Sequence, residues 1–130
     1  MALDVDTIAT DADLVNEIQS ATKLAGLTRD TGGSAKAARQ QALDDILVHL
    51  SRRTPPITET SLSIPAELKR CVVYGALERL YRHEMNEPGD VNGVQQKIYA
   101  RRYSDEVSAI MPTIAGGARG TAFSIPISRR

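Results

Sequence analysis

The segment IPAELKRCVVYGALERLYRHE, which runs from Ile64 to Glu84, constrains this chain more than any other stretch. Within it Leu68, Cys71, Val72, Gly75, Ala76 and Leu80 recur at spacings that hold one helical face. Val73, Leu77 and Tyr81 add a second stripe beside the first. An apolar face that broad predicts a central helix covered on more than one side. Pro65 suits its first turn, where a missing N–H leaves no bond unmade. Gly75 lies in the interior, where glycine is about 1 kcal/mol worse than alanine, so its presence predicts a close crossing by a neighbouring helix.

The turn MNEPGD, with Pro88 and Gly89, ends that helix, and a second long one begins near Asp90. It carries Val94, Ile98, Tyr99, Tyr103, Val107 and Ile110 and runs to about residue 111. The short connection predicts an antiparallel hairpin, with Val72, Gly75, Ala76, Leu77 and Leu80 facing Val94, Ile98 and Val107.

Upstream, Leu14, Ile18, Ala21 and Ala25 fall at helical spacing, Thr10 and Asp13 form a capping box, and Gly26 is a stop. These signals predict one helix over 11–25. The stretch LTRDTGGS that follows reads as a loop. Ser34 can cap a second helix over 34–53, whose apolar stripe is Ala35, Ala38, Ala42, Leu43, Ile46, Leu47 and Leu50. Arg39, Gln40, Asp44 and Asp45 fall outside that stripe. Pro55 and Pro56 forbid its continuation, and the alternation of Leu62 and Ile64 with Ser61 and Ser63 leaves room for a short strand in the 57–64 linker. After Pro112, Gly116, Gly117 and Gly120 precede Phe123, Ile125 and Ile127, which alternate with Ser124, Pro126 and Ser128. This pattern predicts an extended C-terminal arm that orders on docking. The fold expected is all-α, a small helical bundle over 1–111 with a long antiparallel hairpin, followed by the arm over 112–130.

Composition agrees with helices. Aromatic residues are 4% of 130 positions and tryptophan is absent, so the core must be aliphatic and alanine-rich. Sixteen basic residues balance sixteen acidic ones, which argues against a global attraction to nucleic acid or anionic membranes and leaves only local patches. The single cysteine excludes an intramolecular disulfide, and neither a signal segment nor a spanning run is legible, so a soluble protein of a reducing cytoplasm is expected, with no membrane partner.

Candidate chemistry is sparse. His83 and Glu84 open an H-E-x-x pattern, but the position of the second histidine holds Glu87, so no zinc ligand set is complete. Asp45 and His49, four residues apart, can hydrogen-bond, yet no nucleophile accompanies them and they read as a surface ion pair. Cys71 falls on the apolar face of its helix and reads as a buried, inert thiol. The GGARGT run lacks the Lys-Ser/Thr ending and the helix of a phosphate loop. Arg52 with Arg53, Lys97 with Arg101 and Arg102, and Arg129 with Arg130 are basic clusters with few aromatic stacking partners, and most read as solvated helix ends. No catalytic residue, cofactor site or metal site is assigned, and the chain is expected not to be an enzyme.

This order of helices resembles the head-tail connector (adaptor, or head completion) proteins of tailed bacteriophages and gene transfer agents. The likeness spans most of the chain. Its most telling piece is Pro65-Ala66-Glu67-Leu68 leading into an Ala/Leu helix with Tyr81-Arg82-His83-Glu84, then a polar turn and a helix with Tyr99 and Tyr103. The resemblance implies a structural virion protein of the neck, assembled in the host cytoplasm. It implies a ring of copies, commonly twelve, beneath the portal protein, offering a platform to the next neck, stopper or tail protein, with DNA passing through the lumen. On that reading Phe123, Ile125, Pro126, Ile127, Arg129 and Arg130 are the arm's partner-binding residues, and Lys97, Arg101 and Arg102 are candidate lumen contacts to DNA. The alternative is a small helical DNA-binding or regulatory protein that uses the same three basic residues.

Overall fold

The computed structural model describes residues 3–87 and 89–114. They form an all-α fold of five α-helices: α1 (Asp11–Ile18), α2 (Ala21–Leu27), α3 (Lys36–Ser51), α4 (Lys69–Glu84) and α5 (Val91–Ala109). Among the described residues the only extended pairing is a single antiparallel bridge between Leu62 and Ile114.

Helix α4 is the centre. Cys71, Val72, Val73, Gly75, Ala76, Leu77, Leu80 and Tyr81 are all buried along it, so both apolar stripes are covered. Its neighbour α5 runs antiparallel, because contacts pair descending positions of α4 with ascending ones of α5. Asn92 Nδ2 donates to the Glu84 carbonyl at 3.3 Å, Gln96 Nε2 to Glu78 Oε2 at 2.7 Å, and Arg70 meets Glu106 at 3.7 Å. Helix α3 packs on α4 through Ala42, Leu43, Ile46 and Leu50. The three helices converge at Gly75, where an added Cβ would lie 2.8 Å from Ala42 Cβ and 2.8 Å from Tyr103 Cε1. Only glycine leaves room for both approaches, which explains an otherwise unfavourable residue in mid-helix.

Several local expectations meet a different outcome. The helix predicted over 11–25 is broken: Gln19 adopts a left-handed conformation (φ 57°), and the Ser20 hydroxyl accepts from Lys23 N at 3.0 Å to start α2. A serine cap inside a periodic stretch is a start signal that the periodicity hides. Gly26 is consequently inside α2 and not its stop. Pro65 opens a separate 3-10 turn, Pro65–Leu68, ahead of α4.

The α5 register is the larger correction. Val94 and Ile98, expected against α4, are exposed, while Gly93, Tyr99 and Val107 are buried. The rings decide this. Tyr99 stacks on Tyr81 (centroids 5.9 Å, planes within 4°) and lies 6.0 Å from Tyr74, so the aromatic stripe of α5 takes the core and the aliphatic stripe faces out.

Arg39, expected outside the apolar stripe of α3, is buried. Its Nε donates to Asp11 Oδ1 at 2.9 Å, and its Nη1 to Asp6 Oδ1 at 2.6 Å and the Ala9 carbonyl at 2.8 Å. This fork pins the N-terminal segment, whose Val5, Ile8 and Ala9 are core residues, onto α3. The start of the expected arm is likewise held. Pro112 is buried, Thr113 N donates to Glu67 Oε1 at 2.7 Å, and Ser63 N donates to the Thr113 carbonyl at 2.9 Å.

Candidate interaction surface

Helix α5 starts at Asp90, whose carboxylate accepts from Gly93 N at 2.6 Å and from Asn86 N at 2.7 Å. Those amide donors, Gly93 first, hold its carboxyl below the ordinary aspartate range. From that start Tyr99, Tyr103 and Val107 turn inward and the opposite pole carries Val91, Val94 and Ile98. These three are 71%, 47% and 38% exposed and follow one another at i, i+3 and i+7, a continuous aliphatic ridge in solvent.

Lys97, Arg101 and Arg102 flank that ridge and, with Ile98, surround a shallow recess of about 410 Å³. They are not equivalent. Arg102 is engaged: its Nη1 is 3.2 Å from Glu17 Oε2, and its guanidinium lies 5.2 Å from the Tyr99 ring centroid. Lys97 and Arg101 meet no carboxylate among the described residues. Arg29, Lys36, Arg39, Lys69, Arg70, Arg79 and Arg82 each pair with a carboxylate, whereas Lys23, which lies over the Tyr81 ring, and Arg52 meet none among the described residues.

The remaining basic cluster divides. Arg53 is not a solvated helix end. Its Nη1 and Nη2 donate to the carbonyls of Ile110 (2.5 Å) and Val107 (2.7 Å), satisfying the last turn of α5 where the helix dipole favours a cation. Arg52 beside it is exposed. The arm residues Phe123, Ile125, Pro126, Ile127, Arg129 and Arg130 lie outside the described residues, as do the GGARGT run and Pro88.

The titratable groups weighed for chemistry sit in structural roles. His49 Nε2 is 3.5 Å from Asp45 Oδ2, and the same carboxylate oxygen accepts from the Tyr103 hydroxyl at 2.5 Å. Burial, then that bond, pushes the Tyr103 hydroxyl far above its ordinary range, so it stays protonated and fastens α5 to α3. Burial raises Tyr99 as well, to about 12. The Cys71 thiol is buried and pushed up to about 12, chiefly by desolvation. At the other end of α4, His83 Nε2 lies 3.2 Å from Asp30 Oδ2 and 3.9 Å from Glu84 Oε2. Those three side chains come close enough together to share a cation. Arg29, at 3.2 Å from Glu84 Oε1, already supplies a positive charge there.

A larger open groove of about 700 Å³ lies between α1, α4 and α5, lined by Asp13, Glu17, Lys69, Tyr74, Glu106 and Ile110 among others. Its charges pair across it: Lys69 meets Asp13 at 3.1 Å, and Arg70 meets Glu106 at 3.7 Å. Burial works to raise the Asp13 carboxyl, but the Thr10 N–H and Lys69 outweigh it and leave it below the ordinary range. Among the described residues no helix is long and apolar enough to cross a membrane.

The exposed ridge was within reach of the sequence. Val91, Val94 and Ile98 are themselves at helical spacing, so α5 carries two competing stripes, and assigning Val94 and Ile98 to the core merged them. Compared with known proteins, the chain matches no protein-family model, no curated protein and no solved structure.

Proposed function

We propose that this chain is a structural assembly protein, a head-tail adaptor that forms a ring beneath a phage portal and joins the capsid to neck or tail proteins. The observation that carries the reading is the outward face of α5, where three exposed aliphatics lie beside two cations without carboxylate partners. A contiguous apolar and cationic face in water suits a surface that meets another protein. The resemblance of the helix order, over most of the chain, to connector proteins supplies the identity of the partners. The segment after Ile114 carries Phe123, Ile125, Ile127, Arg129 and Arg130 in sequence and is assigned to docking on the portal or the next neck protein. No catalytic step, cofactor or metal enters this reading, and its place is the virion neck.

The DNA-binding alternative draws on the same helix. Aliphatics between the cations, and the capture of Arg102 by Glu17, leave a poorer phosphate track than a recognition helix needs. The test is reconstitution with the portal protein of the same genome. Rings or co-sedimenting complexes are expected, and removal of residues 115–130 is expected to keep the helical spectrum while abolishing binding. A full chain that leaves every portal preparation unbound overturns the adaptor reading. A salt-dependent DNA titration with micromolar affinity would favour the alternative.

A further inference from the structure

Two helix faces of this chain match each other. On α5 the ridge Val91, Val94 and Ile98 is bordered by Lys97 and Arg101, which lack carboxylate partners among the described residues. On α3 the outward face carries Ala37, Gln41, Asp44 and Val48, with Arg52 one turn beyond; Val48 is 44% exposed, and among the described residues Asp44 holds only the neutral amide of Gln40, at 2.9 Å. Val48 is the one large aliphatic exposed on a described helix other than α5. Asp44 stands four residues before it, one turn along the same face. Each face lies opposite the side that its helix turns to α4, so the two cannot meet within one copy.

We infer that the α5 ridge of one copy docks on the α3 face of a second copy, with Lys97 or Arg101 meeting Asp44 and Ile98 packing near Val48. The contact joins two different patches and is therefore heterologous. Contacts of that kind propagate from copy to copy and close into rings when the rotation allows. A two-fold pairing of α5 with itself, which would set Lys97 of one copy against the exposed Asp105 of the other, is the competing arrangement that the cross-link below separates from this one. Nucleic acid is disfavoured because the centre of the face is aliphatic. The inference rests on the ring reading above and gives it a subunit seam.

The test uses the full chain. Ile98→Cys and Val48→Cys chains are mixed under mild oxidation at high protein concentration, with and without the portal protein; buried Cys71 stays out of the exchange. A mixed Ile98→Cys/Val48→Cys disulfide is expected. Its absence, or an Ile98→Cys homodimer in its place, overturns the contact. In a second arm, the Lys97→Asp/Arg101→Asp change on one face and Asp44→Arg on the other are each expected to weaken self-association on the order of ten-fold, as reversal of a charge pair at an interface does. The chain bearing both changes is expected to recover most of it. Failure to recover, with the unfolding midpoint unchanged, overturns the proposal. Rings on the portal without the mixed disulfide leave the adaptor reading intact and remove this seam. The mixed disulfide without portal binding does the reverse.

Discussion

Replacing Gly75 with alanine tests the packing argument most directly, because intrinsic preference and tertiary fit pull in opposite directions. In a helix interior alanine is favoured by about 1 kcal/mol. The new Cβ, however, would sit 2.8 Å from Ala42 Cβ and 2.8 Å from Tyr103 Cε1, about 0.7 Å inside the closest comfortable carbon–carbon contact on two sides at once. Ala42 Cβ cannot rotate away, and Tyr103 is held by its 2.5 Å bond to Asp45, so relief requires α3 or α5 to move. Overpacking of this kind costs about 2–3 kcal/mol, leaving a net loss of about 1–2 kcal/mol after the propensity gain. In urea unfolding followed by circular dichroism, that is a midpoint lowered by about 0.5–1 M for a slope near 2 kcal/mol/M. Gly26 is the internal control. It lies inside α2 with nothing within 4 Å of an added Cβ, so Gly26→Ala should raise the midpoint by up to ~1 kcal/mol equivalent. Gly75→Leu should be worse than Gly75→Ala. A Gly75→Ala midpoint that rises as the Gly26→Ala midpoint does would refute the three-helix crossing.

Arg39→Met should cost about 2–3 kcal/mol in the same assay, since it strands the buried carbonyl of Ala9 and leaves Asp6 with Lys36 and Asp11 with the Ala35 N–H in place of the fork; Arg39→Lys should recover little, because one ammonium cannot replace the fork. A loss below ~0.5 kcal/mol would argue against a structural role. The carboxyls of Asp6, Asp13 and Asp90 are held below their ordinary value near 4, so the stability they contribute is present above about pH 4 and fades as pH falls through their folded-state values. Thermal melts at about pH 6 and pH 3 should show that loss, and Asp13→Asn and Asp90→Asn should flatten it; an acid limb unchanged in both variants would exclude them as its source. Cys71 should react with maleimide only through global opening, at rates that climb with urea, and rapid labelling of native protein near pH 8 would contradict its burial.

Local pattern was sufficient for the helical class of this chain, for α4 as its hub and for the special status of Gly75, because periodicity, caps and glycine cost are read within one or two turns. It also exposed the turn at Gly32 and Gly33, both of which have positive φ. Local pattern could not decide between the two apolar stripes of α5, since either satisfies a helical period. Stacking of Tyr99 on Tyr81 and the bond from Tyr103 to Asp45 made that choice, and so placed Val91, Val94 and Ile98 in solvent. Burial of Arg39 was illegible for the same reason, its carboxylate partners standing 28 and 33 residues away in the chain. The capping of α5 by Arg53 and the anchoring of Thr113 by Glu67 are pairings of that kind too. A short window of sequence determines whether a helix forms; which of its faces is buried depends on the groups that distant segments bring to it, and only the tertiary structure assembles those.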